Sequence, residues 1–228
     1  KKQHILTYNC CATVIGPEDH TYDFATGKCA CGVQVEASAT VSGSTVYYNS
    51  LEEAMSVVKD AVEEQQAKVR LYQDVQGEFT VPTGTYTLDL NGNTISSKAA
   101  YECALIIPEN AVVTLTGNGK VLSKYRAVMV EGTLTVENGY FEGAQAALWN
   151  NGSLTINGGT FVATGTEPDE YGNVFGSGLY VHYMATETVL NTADAQFQGY
   201  VEDIDLYMAT LTINMAQNDP DWTLTFSN

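Results

Sequence analysis

Leu134-Thr-Val-Glu-Asn-Gly-Tyr-Phe141 and Leu154-Thr-Ile-Asn-Gly-Gly-Thr-Phe161 are one phrase written twice, twenty residues apart. A unit that short cannot bury its own apolar face, so each copy must lean on the next and the chain has to stack. Taking the leading leucine as a marker gives Leu88, Leu115, Leu134, Leu154, Leu190 and Leu211, at intervals of 27, 19, 20, 36 and 21 residues. Short strands repeating at about this period are coils of a parallel β-helix. In each coil an alternating strand meets a Gly/Asn corner, as at Asn91-Gly92, Asn118-Gly119, Asn138-Gly139 and Gly158-Gly159, and a second strand follows. Such corners need positive φ, which Gly and Asn adopt at low cost. A third series precedes the markers at residues 104–107, 127–130, 147–149, 178–181 and 204–207. Three series per coil predict a triangular cross-section and six or so coils. Alternation predicts one interior stack of the marker leucines and another of Val121, Phe141, Phe161 and Phe197.

Upstream the texture changes. Residues 1–42 hold four of the five cysteines, two of the three histidines and no repeat phrase, which predicts a small separate module, with the solenoid occupying 43–228. Ser50-Leu-Glu-Glu53 has the form of a capping box. Leu51, Ala54, Met55, Val58, Ala61 and Val62 follow the helical period, predicting an amphipathic helix over 50–65. Laid across the solenoid's open end, it would serve as the polar-faced cap that a terminal repeat requires.

Gly132-Thr-Leu-Thr-Val136, Gly152-Ser-Leu-Thr-Ile-Asn-Gly-Gly-Thr-Phe161 and Leu88-Asp-Leu-Asn-Gly-Asn-Thr-Ile95 resemble the right-handed parallel β-helix repeats of the pectate-lyase-like superfamily. The resemblance is nearest to secreted or cell-surface proteins of Gram-positive gut bacteria. It implies an all-β, right-handed parallel β-helix and an extracellular location. It does not select an activity, because this architecture carries lyases, hydrolases, adhesins and inert stalks alike.

Charge narrows the partners. Twenty-seven acidic against 10 basic residues give a formal net charge of −17. That field repels nucleic acid and acidic polysaccharides, and it favours neutral glycans, cations or basic protein surfaces. No apolar run reaches the roughly 18 residues that would span a bilayer, so membrane insertion is not expected. The chain starts without Met and reads as a trimmed piece of a longer exported protein.

Several groups of residues bear on the chemistry. Cys11, His20, Cys29 and Cys31 supply the N and S donors of one tetrahedral structural zinc, with disulfides as the alternative in an oxidising compartment. Cys103, at the start of a core strand, reads as a buried thiol. A lyase on this fold would need a base, for which Lys124 is available, and acidic ligands for calcium. No row of such ligands accompanies it. A glycosidase would need convergent carboxylates, for which Asp203 and Asp205 are the best pair. The 36-residue interval hides an insertion near residues 164–177 containing Glu167, Asp169 and Glu170. Tyr180, His182 and Tyr183 follow it as aromatic groups suited to a sugar ring or a protein surface. Alternation sets Tyr180 and His182 on one side and Tyr183 on the other. Repeats without a convergent catalytic set point to a non-catalytic domain that binds a glycan or host protein. A carbohydrate-active enzyme and a passive spacer are the other readings.

Overall fold

The computed structural model describes residues 3–8, 13–166, 174–191 and 194–214. Three sheets wrap one apolar core as a parallel β-helix of about six coils. The largest has nine strands, of which the seven from Ala67–Leu71 to Thr212–Ile213 run parallel. A six-stranded sheet from Val75–Gln76 to Gln196–Gln198 contains the phenylalanines, and another from Phe79–Thr80 to Glu202–Leu206 contains Trp149. They are called here the phenylalanine and tryptophan sheets.

Coil upon coil, the phenylalanine sheet follows the expected order. Ile95, Val121, Phe141, Phe161 and Phe197 are register partners in turn. Phe141 and Phe161 lie 5.0 Å apart at 14°, and Phe161 and Phe197 5.0 Å apart at 17°. The corners beside Phe141 and Phe161 are glycines, Gly139 and Gly159. Gly159 has φ +120, and a Cβ there would stand 3.0 Å from Phe161 Cζ and 3.1 Å from the Gly139 carbonyl oxygen.

The marker leucines divide between two ladders instead of forming one. Leu88 pairs with Leu115 and Leu134 with Leu154, but Leu134 lies over Val113 and Leu115 over Val136. One column therefore runs Tyr86, Val113, Leu134, Leu154, Thr188, and its neighbour runs Leu88, Leu115, Val136, Ile156, Leu190. The interval from Leu115 to Leu134 places the marker two residues earlier on its strand. A two-residue offset keeps a side chain on the same face, so the core remains filled although the column changes. Leu211 is half-buried against the core beside the final strand.

At the N-terminal end the helix starts where expected, with Ser50 Oγ accepting from the Glu53 amide at 3.2 Å. It is Leu51–Val57, shorter than the predicted 50–65. Asp60 adopts φ +58 and donates its amide to Thr83 O at 2.7 Å, and Thr85 donates to Ala61 O at 2.7 Å. Pairing of residues 60–61 with residues 83–85, where the second coil begins, outcompetes continuation of the helix. Leu51, Ala54, Met55, Val58 and Ala61 are buried as the period required, whereas Val62 is exposed.

Strands Ala37–Val41 and Ser44–Tyr48 form an antiparallel hairpin added to Ala67–Leu71 at the end of the nine-stranded sheet. The hairpin runs across the boundary expected at residue 42. Ahead of it, Gln3–Tyr8 and Thr13–Asp19 make a separate two-stranded sheet. The Cys/His segment rests on the first coil, where Tyr72 Oη donates to Phe24 O at 3.0 Å and the Arg70 guanidinium lies 5.1 Å above the Phe24 ring. Arg70 and Lys68 both pair with the buried Asp89, at 3.5 and 2.8 Å.

Candidate functional site

On the outer face of the tryptophan sheet, parallel register stacks Met129, Trp149, Tyr180 and Asp205 in one column. Leu148, Leu179 and Ile204 alternate with them and point into the core. Trp149 and Tyr180 stack with centroids 3.9 Å apart at 25°, and Phe175 from the insertion meets both edge-on at 5.7 and 6.0 Å. The Arg126 guanidinium covers the other side of Trp149 at 3.5 Å and is held by Gln145 Oε1. Trp149 Nε1 donates to Asn151 Oδ1 at 3.0 Å, satisfying its one donor.

Beyond this buried pair the rings become accessible. His182 lies 6.3 Å from Tyr180, 4.2 Å from Tyr183 and 5.8 Å from Tyr207, and Tyr183 and Tyr207 are 6.1 Å apart. Trp149 and Tyr180 are 7% and 6% exposed, against 58% and 48% for Tyr183 and Tyr207. Alternation placed Tyr183 opposite His182, but the strand ends at Val181 and the following turn brings both rings to one side.

Burial disfavours charge at four groups of this surface. It lowers the pKa of Arg126, and it lowers that of His182 with help from the Arg126 charge. Burial raises the Asp205 carboxyl, with Glu202 adding to the effect. The same cause, reinforced by Asp205 and Tyr207, raises the Tyr180 phenol.

The other expected residues fall elsewhere. Asp203 is buried and accepts from the Gly199 amide at 3.0 Å, while Asp205 is half-buried beside Tyr180. The two carboxylates thus sit in different surroundings. Lys124 is exposed in the turn between Lys120–Ser123 and Arg126–Val130. Glu167, Asp169 and Glu170 lie outside the described residues. The sequence reading passed over Trp149, Arg126 and Phe175 as parts of the aromatic cluster. Aligning Ala147-Leu148-Trp149 with Gly178-Leu179-Tyr180 would have put Trp149 directly beneath Tyr180.

A second group gathers at the N-terminal end. Gly32 at φ +90 closes a tight turn in which Cys29 donates its amide to Val33 O at 2.7 Å and Gly32 donates to Cys29 O at 2.8 Å. The turn aims Cys29 Sγ and Cys31 Sγ at His20 Nδ1, at 3.3 and 3.2 Å. All three ligand atoms lie within 4.8 Å of one another, a grouping that can hold a metal ion. Cys11 lies outside the described residues. Hydrogen bonds from the Cys31 amide and thiol, then from His20, lower the Cys29 thiol to about 7. Cys103 is buried as expected, and burial pushes its thiol up to about 11. Compared with family models, curated proteins and solved structures, the chain finds no match.

Proposed function

We propose that this β-helix is a non-catalytic binding domain of a secreted or cell-surface bacterial protein and that it holds a neutral glycan on the aromatic cluster of its later coils. The observation that carries this reading is the pair of accessible rings, Tyr183 and Tyr207, backed by His182 and the buried Tyr180–Trp149 stack. Sugar C–H faces stack on such rings, and rings already fixed by neighbours lose little freedom on binding. A net charge of −17 favours neutral over acidic chains. Titration against a panel of neutral and acidic oligosaccharides tests it. Tyr183→Ala and Tyr207→Ala should each weaken binding about tenfold with the fold intact. Turnover of a polysaccharide that is abolished by Asp205→Asn would replace this reading with an enzymatic one.

The N-terminal module is read as fastened by zinc. Thiolate and imidazole are its preferred donors, and separations of 3.2 and 3.3 Å suit bonds of about 2.0–2.3 Å to one ion. Cys11 is proposed as the fourth ligand, closing a structural site. The helix Leu51–Val57 and the adjoining hairpin are read as the cap of a right-handed solenoid. Elemental analysis of protein never exposed to chelators should find one equivalent of zinc, reduced in a Cys31→Ser variant.

A further inference from the structure

The nine-stranded sheet ends on Ser44–Tyr48, and among the described residues nothing pairs with its outer edge. Which backbone groups face outward follows from the turn. Ser42 and Gly43 have φ 49 and 78, a two-residue connection of type I′. In such a hairpin the closing pair, Val41 and Ser44, exchanges hydrogen bonds, and so do every second pair beyond it, Ala39 with Val46 and Ala37 with Tyr48. Two contacts agree with this phase. Glu36 donates its amide to Tyr48 O at 3.1 Å. Thr40 and Thr45 bring their hydroxyls to 2.8 Å, as side chains do in the closer, non-hydrogen-bonded pairs. The N–H and C=O groups of Thr45 and Tyr47 therefore point away from the sheet.

Edges are normally guarded by Lys, Pro, a bulge or a covering element. Ser-Thr-Val-Tyr-Tyr has no charge and no proline. A cleft of about 800 Å³ runs beside it, lined by all of Thr45 to Asn49. Tyr22, 5.0 Å from Tyr47, also lines it, together with His20, Val35, and Glu53 and Ser56 of the helix.

We propose that this edge receives an extended basic peptide segment of a partner protein, which adds a strand beside Thr45 and Tyr47. Charge selects the partner. Glu53 lines the cleft, Glu52 shares its helical turn, and no Lys or Arg lines the wall. A second copy of this chain would bring the same carboxylates to the contact, and like charges oppose that pairing. Aromatic faces at Tyr22 and Tyr47 suit the aliphatic stems and charged heads of Lys or Arg. Five residues of edge span about 17 Å, enough for a hexapeptide to engage.

The test uses blocked hexapeptides alternating Val with Lys, or Val with Glu, and the full chain. The Lys peptide should bind with an affinity that falls as salt rises, and the Glu peptide should bind at least tenfold more weakly. Hydrogen exchange should slow at the Thr45 and Tyr47 amides and be unchanged at Val46. Thr45→Pro removes an outward N–H while leaving the ladder to Ala37–Val41 intact; it should weaken binding about tenfold. Glu53→Gln should reduce the preference for the Lys peptide, and Tyr183→Ala should leave it alone. Equal binding of the two peptides, or binding without protection of those two amides, overturns the proposal. So does self-association that protects them without peptide, which would make the occupant a second copy.

Discussion

The phenylalanine ladder and the Trp149 column are built by one rule and serve opposite ends. In both, parallel register lays aromatic rings of successive coils over one another, with Phe141–Phe161 at 5.0 Å and Trp149–Tyr180 at 3.9 Å. Phe141 and Phe161 face the core and are wholly buried, and their ladder stays internal to its last member, Phe197, at 5% exposure. The Trp149 column faces outward, is roofed by Arg126 and Phe175, and opens within one coil onto Tyr183 and Tyr207. Stacking is thus a property of the repeat, and the face of the sheet decides whether a stack becomes stability or surface.

Phe161→Ala tests the inner ladder most severely. It should lower unfolding free energy by about 4 kcal/mol, measured by denaturant titration, because the cavity would be walled by Phe141 and Phe197. Trp149→Ala should cost about 2 kcal/mol, since its outer cover is a guanidinium and one ring edge instead of the apolar core, and thermal melting would show it. Leu154→Thr should destabilise by a similar amount, about 2 kcal/mol, whereas Thr155→Ala, on the outer face of the same strand, should shift stability by under about 0.5 kcal/mol. Equal losses at Leu154 and Thr155 would contradict the inside–outside assignment. Tyr207→Ala should also stay within about 0.5 kcal/mol of the parent.

The smallest effect is a pH dependence confined to the outer cluster. His182 has a folded pKa below its ordinary value, so the unfolded chain takes up the proton first. Its contribution is fully present above the unfolded pKa and is lost as pH falls through the folded one. Asp205, raised by burial, acts in the other sense. Its stabilising share is present at low pH and lost as pH rises through its folded value. Tyrosine and tryptophan fluorescence followed between about pH 7 and 5 should change in the parent and change less in His182→Gln, while the phenylalanine ladder is unaffected.

Much of this was legible in the chain. The twenty-residue phrase fixed the coil, and Val121, Phe141 and Phe161 were placed correctly because each follows its corner glycine by two residues, while Phe197, with Ala195 at that corner, was placed by strand alternation. The leucine markers were misleading for a definite reason: period-two alternation reports the face of a strand but not the position along it, so a slip of two residues is invisible. Helix periodicity at residues 51–62 likewise reported burial correctly through Ala61 but not where the helix stops, since hydrogen bonds from Asp60 and Thr85 to partners 23 and 24 residues away leave no local trace.

Sequence by itself determined the solenoid, its inward-facing apolar positions, the capped start of the helix at Ser50 and three of the cysteine and histidine donors, His20, Cys29 and Cys31, that the fold brings together. Only the tertiary structure decided that Trp149 lies beneath Tyr180, that Arg126 covers it, that Tyr183 turns back beside His182, and that Ser44–Tyr48 is the last strand of its sheet among the described residues. The physical reason is range. Propensity, alternation and corner chemistry act within one coil, whereas stacking partners and sheet edges are set by register between coils twenty or more residues apart.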